Sequence, residues 1–180
     1  MDRLIDLPEM WGDNYSDVRA RTIILLFYET GVRLAELIGL DDQDVDFVSH
    51  QLKVTGKRNK QRIVPFGEEL EQTLRAYMSQ RDEQPLKLDA ALFLNDKGCR
   101  MTRSQVGQIV KAGLSRVTTM KKRSPHVLRH SFATAMLNNG AGLESVRKLL
   151  GHESVATTEI YTHTTFEQLK RVYKDAHPRA

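Results

Sequence analysis

The sequence predicts a mainly α-helical domain with one small antiparallel β-sheet or hairpin, an α+β fold. Two observations carry this. Most segments repeat their apolar residues with helical spacing, as in GEELEQTLRAYMSQ (67–80) and FEQLKRVYKDA (166–176). Only one region, DVDFVSHQLKVTG followed by QRIVPF (44–66), changes to alternating, β-branched residues around a polar turn. Neither a repeat nor a low-complexity linker interrupts the 180 residues, so one domain with a sizeable core is expected over 1–180.

The elements follow in order. Residues 16–30 read as a helix capped by Ser16 and stopped at Gly31 by a left-handed turn. Its run IILLFY (23–28) is apolar on every face, which predicts a buried helix. A short helix begins at Arg33 in RLAELIGL. The hairpin comes next, with its turn at 56–60. After the helix at 67–80, the apolar piece ALFLN leads to a turn at 96–98. Thr102 and Gln105 have capping-box spacing ahead of a helix expected to reach Val117. Ser124-Pro125 is a start signal, with serine at the N-cap and proline at the first helical position. LESVRKLL (143–150) is a short helix ending at Gly151. ESVATTEIYTH (153–163) reads as one or two further helical turns. The last helix is closed by His177-Pro178.

Composition narrows the partners. A net charge of +4 and a pI near 9.2 suit a polyanion. One cysteine, Cys99, permits no disulfide within the chain, so a cytoplasmic protein is expected. IILLFY is too short to cross a bilayer, and the N-terminus lacks the pattern of a signal peptide. No membrane association is expected.

The chemistry-bearing residues fall in five places. HVLRH sets His126 and Arg129 three apart, and His126 and His130 four apart, on one helix. Three readings compete. HxxxH has zinc spacing, but Val127 stands where a zincin carries its glutamate, and His152 as a third ligand is nowhere demanded. A histidine can be a core residue with its hydrogen bonds satisfied, the reading favoured for His130. Arginine beside histidine can cradle phosphate oxygens. The turn GKRNKQR gathers Lys57, Arg58, Lys60 and Arg62, either as a solvated turn or as a basic loop against a nucleic-acid backbone. Arg33 and Glu36 have the spacing of an ordinary surface ion pair, worth under ~1 kcal/mol, or of a glutamate that holds the arginine in place. His152 closes LGH, and Tyr161 is either a core aromatic or part of a site.

Taken together, TGVRLAEL, GKRNKQR, HVLRH, LGH and Tyr161 resemble the tyrosine recombinase (phage integrase) family, whose pattern is Arg, Lys, His-x-x-Arg, His, Tyr. The resemblance spans Arg33 to Tyr161, and the ending AHPRA resembles the Xer branch, which resolves chromosome dimers. It implies the catalytic-domain fold of that family and a site-specific recombinase. Tyr161 would be the nucleophile, and Arg33 and Arg129 would bind the scissile phosphate. Lys57 would be the general acid for the leaving 5′ oxygen. His126 and His152 would hydrogen-bond the phosphate, with His126 also able to take the tyrosine proton. Glu36 and His130 would support them, and Lys57, Arg58, Lys60 and Arg62 would meet DNA. The implied product is a 3′-phosphotyrosyl link with a free 5′-hydroxyl, formed with no metal, cofactor or ATP. Making phenolate at neutral pH costs roughly 4 kcal/mol, a cost that two arginines and a histidine lower while they stabilise the transition state.

The implied partner is double-stranded DNA at a specific site, bound by a homo- or hetero-tetramer, the isolated chain being monomeric. Integrases carry a helical core-binding domain of about 100 residues ahead of the catalytic one, so the chain reads as the C-terminal catalytic part. Segment 165–180 is expected to be a helix and tail that docks on a neighbouring protomer. Gly142 stands where the family often has an acidic residue. The alternatives are a type IB topoisomerase, which shares the tyrosine chemistry, a catalytically silent DNA-binding module, and a zinc hydrolase.

Overall fold

The computed structural model describes residues 10–116, 121–152 and 163–180. Helix α1 (Tyr15–Thr30) forms the axis of the main core, and its residues 23–27 are fully buried. It starts one residue ahead of the expected position because Asn14, not Ser16, is the cap: Asn14 Oδ1 accepts the Asp17 N–H at 3.0 Å. The extra residue, Tyr15, has a reason to be helical, since its ring stacks on Tyr77 and its hydroxyl donates to Leu94 O. At the other end Gly31 adopts φ 63°, and a Cβ there would strike Phe132 and Leu150, so only glycine lets the chain turn this close to them.

Helix α2 (Leu34–Ile38) leads to three antiparallel strands, β1 (Val45–Asp46), β2 (Gln51–Thr55) and β3 (Gln61–Pro65), in that spatial order. The β2–β3 register pairs Thr55 with Gln61 and Gln51 with Pro65, so the basic turn 56–60 is the hairpin tip. Helix α3 (Glu68–Asp82) and α4 (Arg103–Ser115) pack on α1. The Thr102–Gln105 capping box is present, and its helix stops at Ser115. Between these helices ALFLN forms isolated bridges, Asp41 with Ala91 and Leu94 with Arg100. Buried Arg81 fastens this region by bonds to Asp42 (2.6 and 3.0 Å) and Leu92 O (2.8 Å).

Helix α5 (Pro125–Asn138) opens at Ser124 as expected, but the serine side chain makes no cap bond. Helix α6 (Leu143–Leu150) starts at Gly142, an N-cap without a side chain, and ends at Gly151 in a left-handed turn with φ 66°. Helix α7 (His163–Ala176) follows. Phe132 and Met136 of α5, Val146, Leu149 and Leu150 of α6, and Leu169, Tyr173 and Ala176 of α7 form a second apolar cluster. The apolar stripe of α7 is therefore covered within the chain. No helix among the described residues is long and apolar enough to cross a membrane.

Candidate phosphate-binding site

The site forms where two helices end. The left-handed turns at Gly31 and Gly151 leave carbonyl groups at the C-termini of α1 and α6. Arg129, projecting from α5, donates Nη1–H to Gly31 O and Nη2–H to Leu150 O, the latter at 2.8 Å. Arg33 Nη2 donates to Gly151 O at 3.4 Å. The same turn fixes His152, whose backbone N–H returns to Arg147 O at 3.0 Å. His152 Nε2 then stands 3.4 Å from Arg129 Nη2. His126, exposed on the first turn of α5, lines one small cleft with Val32, Arg33, Leu34, Pro125 and Arg129. The fold thus brings together Arg33, His126, Arg129 and His152, from three places across about 120 residues of chain.

Beneath them lies Glu36. It is buried at 2 % exposure, so the surface ion pair is not what forms. Its Oε2 accepts the Arg33 backbone N–H at 2.8 Å, and its Oε1 accepts Arg33 Nη1 at 3.1 Å. Arg62 supplies two further bonds, at 2.5 and 3.0 Å. Burial opposes the charge on Glu36, but the Arg62 fork and Arg33 outweigh it and hold its carboxyl below the usual range. Arg129 is pushed down to about 10 by burial and by repulsion from Arg33 and Arg62. Burial and the same arginines, Arg129 foremost, also lower His152. Three guanidiniums face one carboxylate, so the cluster carries an excess of positive charge that an anion relieves.

Two expectations change. Arg62 does not belong to the basic surface: it is 9 % exposed and turned inward, with Nε bonded to Leu149 O at 3.0 Å. The signal was in the strand, because Arg62 shares its alternation with Val64 and Phe66, both buried. His130 is exposed rather than a core residue. Helix α5 buries Leu128, Phe132 and Met136, and a residue two positions beyond Leu128 falls on the far side.

Lys57, Arg58 and Lys60 are exposed on the hairpin tip, where Arg58 and Asn59 take φ 57° and 59°. The strand reaches that tip past Glu36, since a Cβ on Gly56 would sit 3.3 Å from Glu36 Oε1. Lys57 thus follows directly on a backbone position that closely approaches Glu36. Tyr161 and the segment 153–162 lie outside the described residues. A larger cleft of about 660 Å³, bordered by His50, Phe66, Glu69, Lys170, Tyr173 and Arg179, contains none of these residues. The smaller cleft, which holds Arg33, His126 and Arg129, is therefore the candidate site.

The model of the phage integrase family matches residues 1–168. The chain is 47 % identical over 168 residues to the tyrosine recombinase XerC of Chlorobaculum tepidum, covering 90 % of this chain and 50 % of that protein. It is 45 % identical over 165 residues to the tyrosine recombinase XerD of Corynebacterium glutamicum, covering 91 % and 54 %. The chain thus spans about half the length of the curated relatives it matches. Among solved structures, XerA recombinase superposes with a TM-score of 0.75 at 34 % identity, covering 99 % of this chain and 63 % of that one. XerH bound to its difH substrate in a pre-cleavage complex gives 0.73 at 25 % identity, covering 96 % and 46 %.

Proposed function

The chain belongs to the phage integrase family, and from that premise we propose that it is the catalytic part of a site-specific recombinase that cuts and rejoins DNA through Tyr161. The observation that carries the reading is the convergence of Arg33, His126 and Arg129 on one cleft beside the C-termini of α1 and α6, with His152 Nε2 3.4 Å from Arg129 Nη2. A phosphodiester carries one negative charge, and its pentacoordinate transition state spreads more onto the equatorial oxygens. Arg33 and Arg129 are held by backbone carbonyls before substrate arrives, so their donors need no reorganisation. His126 and His152 complete the donor set, and His126 on its exposed helix turn can take the phenol proton.

Attack by the Tyr161 oxygen on phosphorus forms a 3′-phosphotyrosyl ester and expels the 5′ oxygen. Lys57, on the solvent-exposed tip, delivers the proton to that oxygen. The reverse attack, by a 5′-hydroxyl from another strand, restores a phosphodiester and releases the tyrosine. The ester conserves the bond energy, so no ATP enters. Lys57, Arg58 and Lys60 also neutralise duplex phosphates, which makes binding salt-dependent. The XerH complex holds difH DNA, and the XerC and XerD relatives support resolution of chromosome dimers as the biological setting.

Strand exchange between two duplexes calls for a tetramer. Because Leu169, Tyr173 and Ala176 are already covered in the chain, docking of residues 165–180 on a neighbour would proceed by exchange of α7 between protomers. The competing reading, a type IB topoisomerase, predicts relaxation of a supercoiled plasmid without a recombination site. Exchange between two plasmid-borne sites, lost in Tyr161→Phe, is the expected result; site-independent relaxation without exchange would overturn the proposal.

A further inference from the structure

Arg62 offers the most informative arrangement that the proposed chemistry does not use. Each of its three nitrogens makes a hydrogen bond. Nη1 and Nη2 grip the two oxygens of Glu36 at 2.5 and 3.0 Å, and Nε donates to Leu149 O at 3.0 Å. It thereby ties strand β3 to the start of α2, where Arg33 stands, and to the end of α6, where His152 is fixed. A Cβ on Gly151 would sit 3.0 Å from the Arg62 guanidinium, so this turn too is shaped around the side chain.

We propose that Arg62 is a positioning residue that acts as the counter-ion of Glu36, leaving Arg33 free to bind an anion. Glu36 is the carboxylate that faces both arginines. It needs full compensation because it is buried, and it has two candidate partners. With Arg62 in place, the fork–fork pair satisfies the carboxylate geometry, and Arg33 contributes one side-chain bond from Nη1 while Nη2 turns toward Gly151 O. Without Arg62, the buried carboxylate would draw the Arg33 guanidinium onto itself. Arg33 would then approach the substrate as half of a neutral pair. The bond to Leu149 O adds a second constraint, since it sets the height of α6 and so the place of His152 relative to Arg33.

This inference rests on the recombinase reading, and the test separates the two. Wild type, Arg62→Gln, Arg62→Lys, Glu36→Gln and the double variant Arg62→Gln/Glu36→Gln are compared by single-turnover cleavage of a nicked DNA carrying the host's recombination site. DNA affinity and thermal unfolding are measured alongside. If wild type forms no covalent product, the functional reading fails and not this inference alone.

Given wild-type cleavage, Arg62→Gln is expected to slow the chemical step about 10²-fold, the size of a lost charge-stabilising group, with DNA affinity little changed. Adding Glu36→Gln should recover about tenfold of that loss, because no carboxylate then remains to claim Arg33. A DNA with a neutral methylphosphonate at the cleaved position should shrink the Arg62→Gln deficit, since less charge must be balanced. A purely architectural role predicts equal deficits on both DNAs. Arg62→Lys keeps the charge but not the fork, and should be slowed about threefold to tenfold.

A folded Arg62→Gln that cleaves at the wild-type rate would overturn the proposal. So would a double variant no faster than Arg62→Gln, or an equal deficit on the neutral linkage. If Arg62→Gln does not fold, Arg62→Lys decides: the same slowing on the charged and neutral linkages rejects the counter-ion role, and a wild-type rate, or a slowing confined to the charged linkage, upholds it.

Discussion

Arg129 Nη2 and His152 Nε2 stand 3.4 Å apart at the C-terminus of α6. A guanidinium only donates, so a hydrogen bond between them makes Nε2 the acceptor and places the imidazole proton on Nδ1. Such a bond needs a neutral ring, in keeping with the lowering of the His152 pKa by burial and by Arg129.

The first prediction follows from that contact. Burial and then Arg129, Arg33, Arg147 and Arg62 lower the His152 pKa below its ordinary 6.5. The unfolded chain therefore binds the proton first, and the stability His152 contributes is present above about pH 6.5 and falls as the pH drops through the folded value. In an NMR titration of the imidazole nitrogens, the His152 midpoint should lie below 6.5, and Arg129→Gln should raise it. A wild-type midpoint at or above 6.5 would remove the electrostatic account of this corner.

Glu29 gives a prediction of opposite sign. It is fully buried in α1, and burial raises its pKa to about 8 despite the Gly67 N–H on Oε2 at 3.0 Å. Glu69 adds to the rise, Arg179 and Tyr173 oppose it, and Oε1 lacks a hydrogen-bond partner among the described residues. The folded state holds this proton when the unfolded state has lost it. Its contribution is complete below about pH 4.5 and is lost as the pH rises toward 8, at a slope of at most ~1.4 kcal/mol per pH unit. Denaturant melts across that window should show the slope in wild type and not in Glu29→Gln. An unchanged slope in the variant would place the proton elsewhere.

Lys57 is separable from the arginines by changing the leaving group. Lys57→Ala should slow cleavage of ordinary DNA by about 10²–10⁴-fold, the usual worth of a general acid. A 5′-bridging sulfur leaves as a thiolate without help, so on that substrate the variant should approach wild type. Arg129→Gln should stay slow on both. Equal deficits for Lys57→Ala on the two substrates would make the lysine a phosphate contact only.

Much of this architecture is legible in the sequence. Gly31 and Gly151 read as helix stops, and their left-handed turns proved to be the floor of the site. The change of period at 44–66 marked the sheet, because strand alternation is a local property. Arg33 and Arg129 were legible through motif order. Arg62 was not, because a cluster of basic residues reads as one solvated turn until the register of β3 divides it. His130 failed for the complementary reason, because a histidine on an apolar helix reads as core. Which side a neighbouring helix covers is decided by tertiary packing, which no local pattern records.

The central claim is that Tyr161 attacks a phosphodiester held by Arg33 and Arg129. The most direct measurement incubates wild type and Tyr161→Phe, in EDTA, with a nicked suicide DNA bearing the host's recombination site, followed by a denaturing gel. A covalent protein–DNA band from wild type, absent from Tyr161→Phe, is the predicted result. A band that survives Tyr161→Phe, or no band from wild type that binds the DNA, would contradict it.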